Sequence, residues 1–408
     1  MVIRVSVEAL VEALGVASIV SPKPVGQQNV SGFLFTVKGG GLSIYSRSNS
    51  QQTKAVLAVE GDDGSFIFPV DRVSALKHLS GWIEIEAGID EEGTSQVKYS
   101  SEGGAKQSFT TVDASFIAPI DTALAKAIEG GSYPAALLKE AFGVTKGYLA
   151  PPNDRAVGDV FKVAQLFPED TNGSGHLFSA NSYRACYFYS DGLKGKGLGV
   201  HCQHLSALNS FLAHCGEEEV TVRYGDSVTY LVSKVGVFGW ATHQAKHERF
   251  NYYPLKSDGF ILRMDKSIFV KALKYVRAGL DSRQNRVCFT YSHTDQYLKM
   301  AAGDASGEIT SMPVPVVIVN DEGAGGGLGD KEDFTSNVNI DYLLDLVSPT
   351  RGHELDLRVA RLQSSAQFLF RTIETYWIDS AGKVLVSSQD TNKGAFECRV
   401  TRFMPSRD

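Results

Sequence analysis

The sequence predicts an α+β fold of three similar domains, each a helix, a group of antiparallel strands, a second helix and further strands. Three observations lead there. The chain has 408 residues, more than one ordinary core, since domains usually run roughly 100 to 200 residues. Amphipathic helices recur near residues 7, 135 and 266, a separation that fits whole domains and not solenoid units. Between them, short strand-like runs come in consecutive groups joined by tight turns, which favours antiparallel sheets over βαβ crossovers. Boundaries are placed at 1–122, 123–256 and 257–408. The competing organisation is one α/β domain with appendages.

The elements follow in order. Val7, Leu10, Val11 and Leu14 take the i, i+3, i+4, i+7 spacing of a first helix, punctuated by Gly15, Pro22 and Pro24. Runs 33–37, 42–45 and 55–59 are β-prone and separated by Gly-rich or Ser/Asn-rich turns. Pro69 leads into a second helix with Val73, Leu76 and Leu79, and 83–86 alternates as a strand. In the second copy, Ser132, Tyr133 and Pro134 cap and start a helix carrying Leu137, Leu138 and Phe142, and 201–214 carries Leu205, Leu208 and Leu212 on one stripe. In the third, Asp265 opens a helix whose core arc is Ile268, Phe269, Leu273, Val276 and Leu280, and Asn339 precedes Ile340, Leu343, Leu344 and Val347. Two stretches fall outside the repeat and read as surface insertions: the glycine-rich 321–333, expected to be flexible, and 374–393.

Composition narrows the function classes. With 43% hydrophobic, 10% aromatic and 21% charged residues, the chain can build cores throughout and is neither disordered nor collagen-like. No window approaches the roughly 18 consecutive apolar residues of a membrane helix, and the start has no secretory pattern, so a cytoplasmic location without a membrane partner is expected. Five widely spaced cysteines argue for reduced thiols and against a disulfide framework. A net charge of −6 excludes a protein coated with basic charge, although a local basic face remains compatible with it.

Catalytic signatures are missing. There is no G-x-x-x-x-G-K-[ST] loop and no G-x-S-x-G elbow. His201, Cys202, His204, His214 and Cys215 are zinc-type ligands at the wrong spacing for one tetrahedral site. The acidic runs 90–92 and 217–219 read as solvated turns. No catalytic residue, metal or cofactor is therefore assigned. The more informative feature is the helix near 266–280, whose polar side carries Lys266, Lys271, Lys274 and Arg277, with Arg283 and Arg286 just beyond. Such a cluster suits phosphates, against the plainer reading of a solvated face.

Eight segments, taken in order, resemble the bacterial DNA polymerase III β subunit, the replicative sliding clamp. They are VSVEALVEAL at 5–14, NVSGFLFTV at 29–37, FIFPV at 66–70 and QSFTTVDASF at 107–116. The second domain contributes LFSANSYR at 177–184, similar to the family's A-T-D-G-H-R stretch, and RFNYYP at 249–254. The third contributes NVNIDYLLD at 337–345, similar to F-N-x-x-Y-L-L-D, and MPSR at 404–407, similar to M-P-x-R. The resemblance spans essentially the whole chain.

That resemblance implies three DNA-clamp domains, with helices inside and antiparallel sheets outside, and two chains closing head to tail into a ring around double-stranded DNA. DNA would be held without sequence preference by Lys266, Lys271, Lys274, Arg277 and Arg283, and by Lys23, Arg72, Lys77, Lys139 and Lys146. DNA polymerase and clamp loader would dock short peptide motifs in a pocket between domains two and three. Carried over by position, that pocket is Ala180, Ser182, Tyr183, Arg184, Ala185, Pro254, Met404, Pro405, Ser406 and Arg407. The departures are Ser182-Tyr183 for the family's Gly-His, Ala185 for its leucine, no arginine near 159–161, and Glu8 and Glu12 on the first helix. Together with the insertions they point to a phage-borne, plasmid-borne or otherwise specialised clamp. The alternatives are a clamp-fold protein that sequesters replication partners without encircling DNA, and a zinc-dependent hydrolase using the 201–215 cluster.

Overall fold

A computed structural model describes residues 1–25, 30–167, 175–181, 183–193, 197–243, 259–280, 285–303, 309–319, 333–361, 368–385 and 395–405. Its α-helices are α1 (Val7–Ala17), α2 (Val70–Leu76), α3 (Asp121–Lys126), α4 (Ala135–Thr145), α5 (Leu205–Cys215), α6 (Lys266–Ala278) and α7 (Ile340–Val347). The first helices of the three copies start at 7, 135 and 266, and the second helices at 70, 205 and 340. Each first helix continues directly from a strand: Val2–Ser6, Ile128–Pro134 and Gly259–Asp265. The fold class is α+β with antiparallel sheets, as the sequence predicts.

By its contacts the chain divides into two compact units. Unit 1 is 1–142, 192–244 and 380–383; unit 2 is 143–191, 245–379 and 384–408. In unit 1 one sheet runs Ile128–Pro134, Glu219–Tyr224, Val228–Val232, Gly236–Ala241, Gln51–Ala58, Gly41–Arg47, Val30–Lys38. In unit 2 the corresponding order is Gly259–Asp265, Glu354–Arg361, Phe368–Ile378, Phe396–Pro405, Arg184–Ser190, Gly175–Asn181, Val163–Phe167. Strand for strand, the two sheets have the same plan. Each joins strands of one repeat to the hairpin of the repeat before it, antiparallel throughout. Every central strand has both edges paired, so its backbone donors and acceptors are satisfied.

Cores form where the alternation and the helix stripes meet. In unit 2, Phe269, Leu273 and Val276 of α6, Leu343 and Val347 of α7, and Phe289, Leu298 and Leu357 of the strands share one buried cluster. Burying each such side chain contributes about 1.5–3 kcal/mol. Asp265 caps α6 by accepting from the Ile268 N–H at 2.8 Å, and Asn339 caps α7 by accepting from Asp341 and Tyr342. Among the described residues no helix is long and apolar enough to cross a membrane. All five cysteines are free thiols.

Three expectations are corrected. Ser132, Tyr133 and Pro134 do not start a helix. They end the strand Ile128–Pro134, with Pro134 at its last position, where the missing N–H is tolerated. Ile268 is not core: it is 41% exposed, while Ala272 is fully buried in its place. At about 100° per residue Ile268 lies at the far edge of the apolar arc, and only the arc centred on Phe269 meets the sheet. The stretch from 374 is not an insertion at its start, because Glu374–Ile378 complete the strand Phe368–Ile378, with Tyr376 and Ile378 buried. The charged Glu374 masks a period-2 pattern there, and it is largely but not fully buried, with Arg402 paired to it. Residues 386–394 and 320–332 lie outside the described residues.

Candidate functional site

The α6 surface separates its four predicted cations into two kinds. Lys271 and Lys274 are exposed on the solvent side. The Lys266 ammonium instead donates to the Thr350 carbonyl oxygen. The Arg277 guanidinium donates from Nε to Asp341 Oδ1 at 2.8 Å, tying α6 to the first turn of α7. Arg277 is thus already partly neutralised, whereas Lys271 and Lys274 make no ion pair among the described residues. Elsewhere Lys23, Lys77, Lys139 and Lys146 are exposed, and Arg72 lies 3.2 Å from its neighbour Asp71. Glu8 and Glu12 are exposed on α1. Arg283 lies outside the described residues.

The hairpin 181–184 in unit 2 builds a second site. Asn181 Oδ1 accepts from the backbone N–H of Tyr183 and of Arg184, both at 3.0 Å, an Asx turn that fixes the direction of the next two side chains. Tyr183 stacks on Tyr342 of α7 at 5.5 Å between centroids and 23° between planes. Arg184 lies with its guanidinium 5.0 Å from the Tyr342 ring centre and 5.6 Å from that of Tyr148, and it pairs with Asp345. Burial pushes the Tyr148 phenol well up, so it stays a neutral donor, and it gives its hydrogen bond to the Asp345 backbone oxygen at 3.1 Å. A planar cation held between two rings loses little freedom and fixes the corner between hairpin and helix.

Two kinds of predicted pocket residue emerge from this. Tyr183 and Arg184 stand at the surface corner, Tyr183 being 44% exposed. Ala180 and Ala185 face each other across the hairpin and are buried in a cluster with Phe167, Phe178, Tyr187 and Leu369. Met404 is 1% exposed, paired with Phe370 in the main core. These three are packing residues beneath the corner. Pro405 ends the strand Phe396–Pro405. Ser182, Pro254, Ser406 and Arg407 lie outside the described residues. Tyr148, Tyr342 and Asp345 were missed by sequence reasoning, although Tyr342 and Asp345 sit at i, i+3 on the polar side of α7, which places them on one face.

The histidine cluster in unit 1 is structural. His201 Nδ1 accepts from the Gln203 N–H at 3.3 Å and opens the turn into α5. Its ring stacks on His243 at 4.8 Å and meets His204 edge-on at 6.1 Å. His204 Nδ1 lies 2.9 Å from Gln51 Nε2. Burial, then the neighbouring His201 and His243, pushes the His204 imidazole down to about 4. His214 and Cys215 turn elsewhere, to the Ser210 carbonyl and the Ser233 hydroxyl. Among the described residues no group of three or more His, Cys, Asp or Glu side chains is arranged to hold a metal ion, which removes the geometry a zinc hydrolase needs. Asp90 accepts from the Glu92 and Thr94 N–H groups and so is a turn residue. Glu217–Glu219 connect α5 to the strand Glu219–Tyr224, and not two strands.

A chain with paired helices repeated three times, and two long antiparallel sheets each shared by consecutive repeats, has the architecture of a sliding clamp. Comparison with solved structures bears this out over the full length. The chain is similar to the DNA polymerase III β subunit of Pseudomonas aeruginosa, with a TM-score of 0.74 and 16% identity over 100% of both chains. It is likewise similar to the DNA polymerase III β subunit of Thermotoga maritima, at 0.73 and 15% over 100% of this chain and 99% of that one. A third similar structure is a Pseudomonas aeruginosa sliding clamp bound to griselimycin, at 0.73 and 16% over 100% of both. No family model and no curated protein matches the sequence.

Proposed function

We propose that this protein is a DNA sliding clamp, a non-catalytic ring of two chains that encircles duplex DNA and tethers a replicative polymerase. The observation that carries the reading is the sliding-clamp fold over the whole length of the chain. Exposed Lys271 and Lys274 on α6 supply attraction to phosphates without sequence preference, which counterion release makes salt-dependent. Topology then retains the DNA, so a net charge of −6 is no obstacle.

Polymerase and clamp loader dock peptide motifs at the corner of Tyr183 and Arg184 in unit 2. A similar sliding clamp has been solved with griselimycin bound, which supports a ligand-accepting surface on this fold. Because Met404 is core, a truncation that tests the last residues for partner binding must start after Pro405.

The test is native mass at micromolar concentration, followed by retention on circular against linear DNA. A dimer of about 88 kDa, twice 44.2 kDa, that stays on circles and slides off linear ends fits the ring. A strict monomer refutes it and leaves a partner-sequestering protein.

A further inference from the structure

Unit 1 carries a preformed groove that the clamp reading does not use. A cavity of about 450 Å³ lies between the 116–126 segment and the turn 225–227, and a neighbouring hollow of about 260 Å³ shares Arg47 and Ala118 with it. Ligand sites are typically roughly 300–1,000 Å³. The floor is apolar: Ile120 and Tyr230 are buried members of one cluster, and Val228 packs against it. Gln52 Nε2 donates to the Tyr230 hydroxyl at 3.2 Å, so the floor's polar atoms are satisfied.

The wall is anchored. Asp121, at the start of α3, accepts from Lys54 and from the Tyr45 hydroxyl. Burial pushes the Asp121 carboxyl up, but those two donors hold it below its usual range. A wall fixed in this way loses little entropy when something binds against it. The rim is basic. Lys23, Arg47 and Lys126 are exposed and make no ion pair among the described residues, against one lining acid, Asp226. Phe116, 56% exposed, stands beside Arg47 and Lys23.

We infer that this groove binds a short extended peptide that alternates apolar and acidic side chains, supplied by another protein. The apolar floor takes the hydrophobic side chains, and Lys23, Arg47 and Lys126 complement the acids. A DNA backbone would meet the same cations but has nothing to bury against Ile120 and Val228. The groove borders the turn that follows Gly41–Arg47 in unit 1, which holds the same place in the strand order as the turn after Gly175–Asn181 in unit 2. Only that correspondence rests on the clamp reading.

The test uses the full chain and two fluorescein-labelled probes, (Leu-Glu)4 and (Leu-Lys)4, read by anisotropy. (Leu-Glu)4 should bind and (Leu-Lys)4 should not. The double variant R47E/K126E should weaken (Leu-Glu)4 by about tenfold or more, through loss of charge complementarity. A123W, which fills the groove from the exposed side of α3, should abolish binding with an unchanged melting temperature, whereas R184A should leave it intact. Binding that survives both A123W and R47E/K126E, or that R184A alone removes, overturns the inference. So does absence of (Leu-Glu)4 binding, and so does a 20-base-pair duplex whose affinity falls with R47E/K126E while the peptide's does not. Native mass reports the ring separately, so a monomeric chain leaves these outcomes readable.

Discussion

Replacing Glu374 with alanine should destabilise unit 2 by about 3–5 kcal/mol, because it strands a buried charge. The Arg402 side chain is 2% exposed and Glu374 11%, and they meet at 2.8 Å. Among the described residues Arg402 Nε and Nη1 have no hydrogen-bond partner, so Glu374 is its compensating charge. The other Glu374 oxygen accepts from the Arg351 N–H at 2.7 Å, a second bond that E374A also removes. For a unit of this size, about 2–4 °C is lost per kcal/mol, which gives a fall of about 6–20 °C. The double variant E374L/R402L should recover most of it, since an apolar pair of similar volume is often neutral or stabilising. Urea and thermal unfolding by circular dichroism measure both. A loss below about 1 kcal/mol for E374A would refute the buried pair and return 374 to the surface insertion that the sequence suggests.

On α6, K271A/K274A should lower the slope of log K against log salt for duplex binding by about 2 per chain; R277A should change it less, because Asp341 already holds that charge, and an equal effect would count against the pairing. Arg184→Lys should keep the Asp345 ion pair but lose the planar contact with Tyr148 and Tyr342, costing about 1 kcal/mol in a denaturation series, with Arg184→Ala costing about 2; equal stability of the lysine variant and the parent would contradict the sandwich. Stability should fall as pH drops from about 6.5 to 4. In that window the unfolded chain protonates His204 while the folded chain, with its imidazole pushed down to about 4, does not, a contribution of up to about 3 kcal/mol. His204→Leu should flatten that part of the profile, and an unchanged profile would exclude His204 as its source.

Much of the fold is legible in local pattern. The starts at 7, 135 and 266 follow from apolar spacing and from side chains such as Asp265, which accepts the orphan Ile268 N–H. Strand order was not legible. That Gln51–Ala58 pairs with Gly236–Ala241, and Arg184–Ser190 with Phe396–Pro405, depends on partners hundreds of residues apart, and hydrophobic alternation specifies which face is buried but not which neighbour is chosen. The site divides the same way. Charge on α6 is visible in its spacing, while the Arg277 partner comes from another helix.

By itself the sequence determined the α+β class, the threefold period, the helix faces and the absence of any spaced metal or nucleotide motif, all of which are local or statistical properties of neighbouring residues. Tertiary structure alone decided that Ala180, Ala185 and Met404 are core, that Arg184 is locked between Tyr148 and Tyr342, that Glu374 pairs with the buried Arg402, and that the histidines at 201, 204 and 243 stack without forming a ligand cage. The physical reason is common to all four. Burial, ion pairing and ring stacking are set by what arrives from distant segments, and that information is carried by packing and not by residue type.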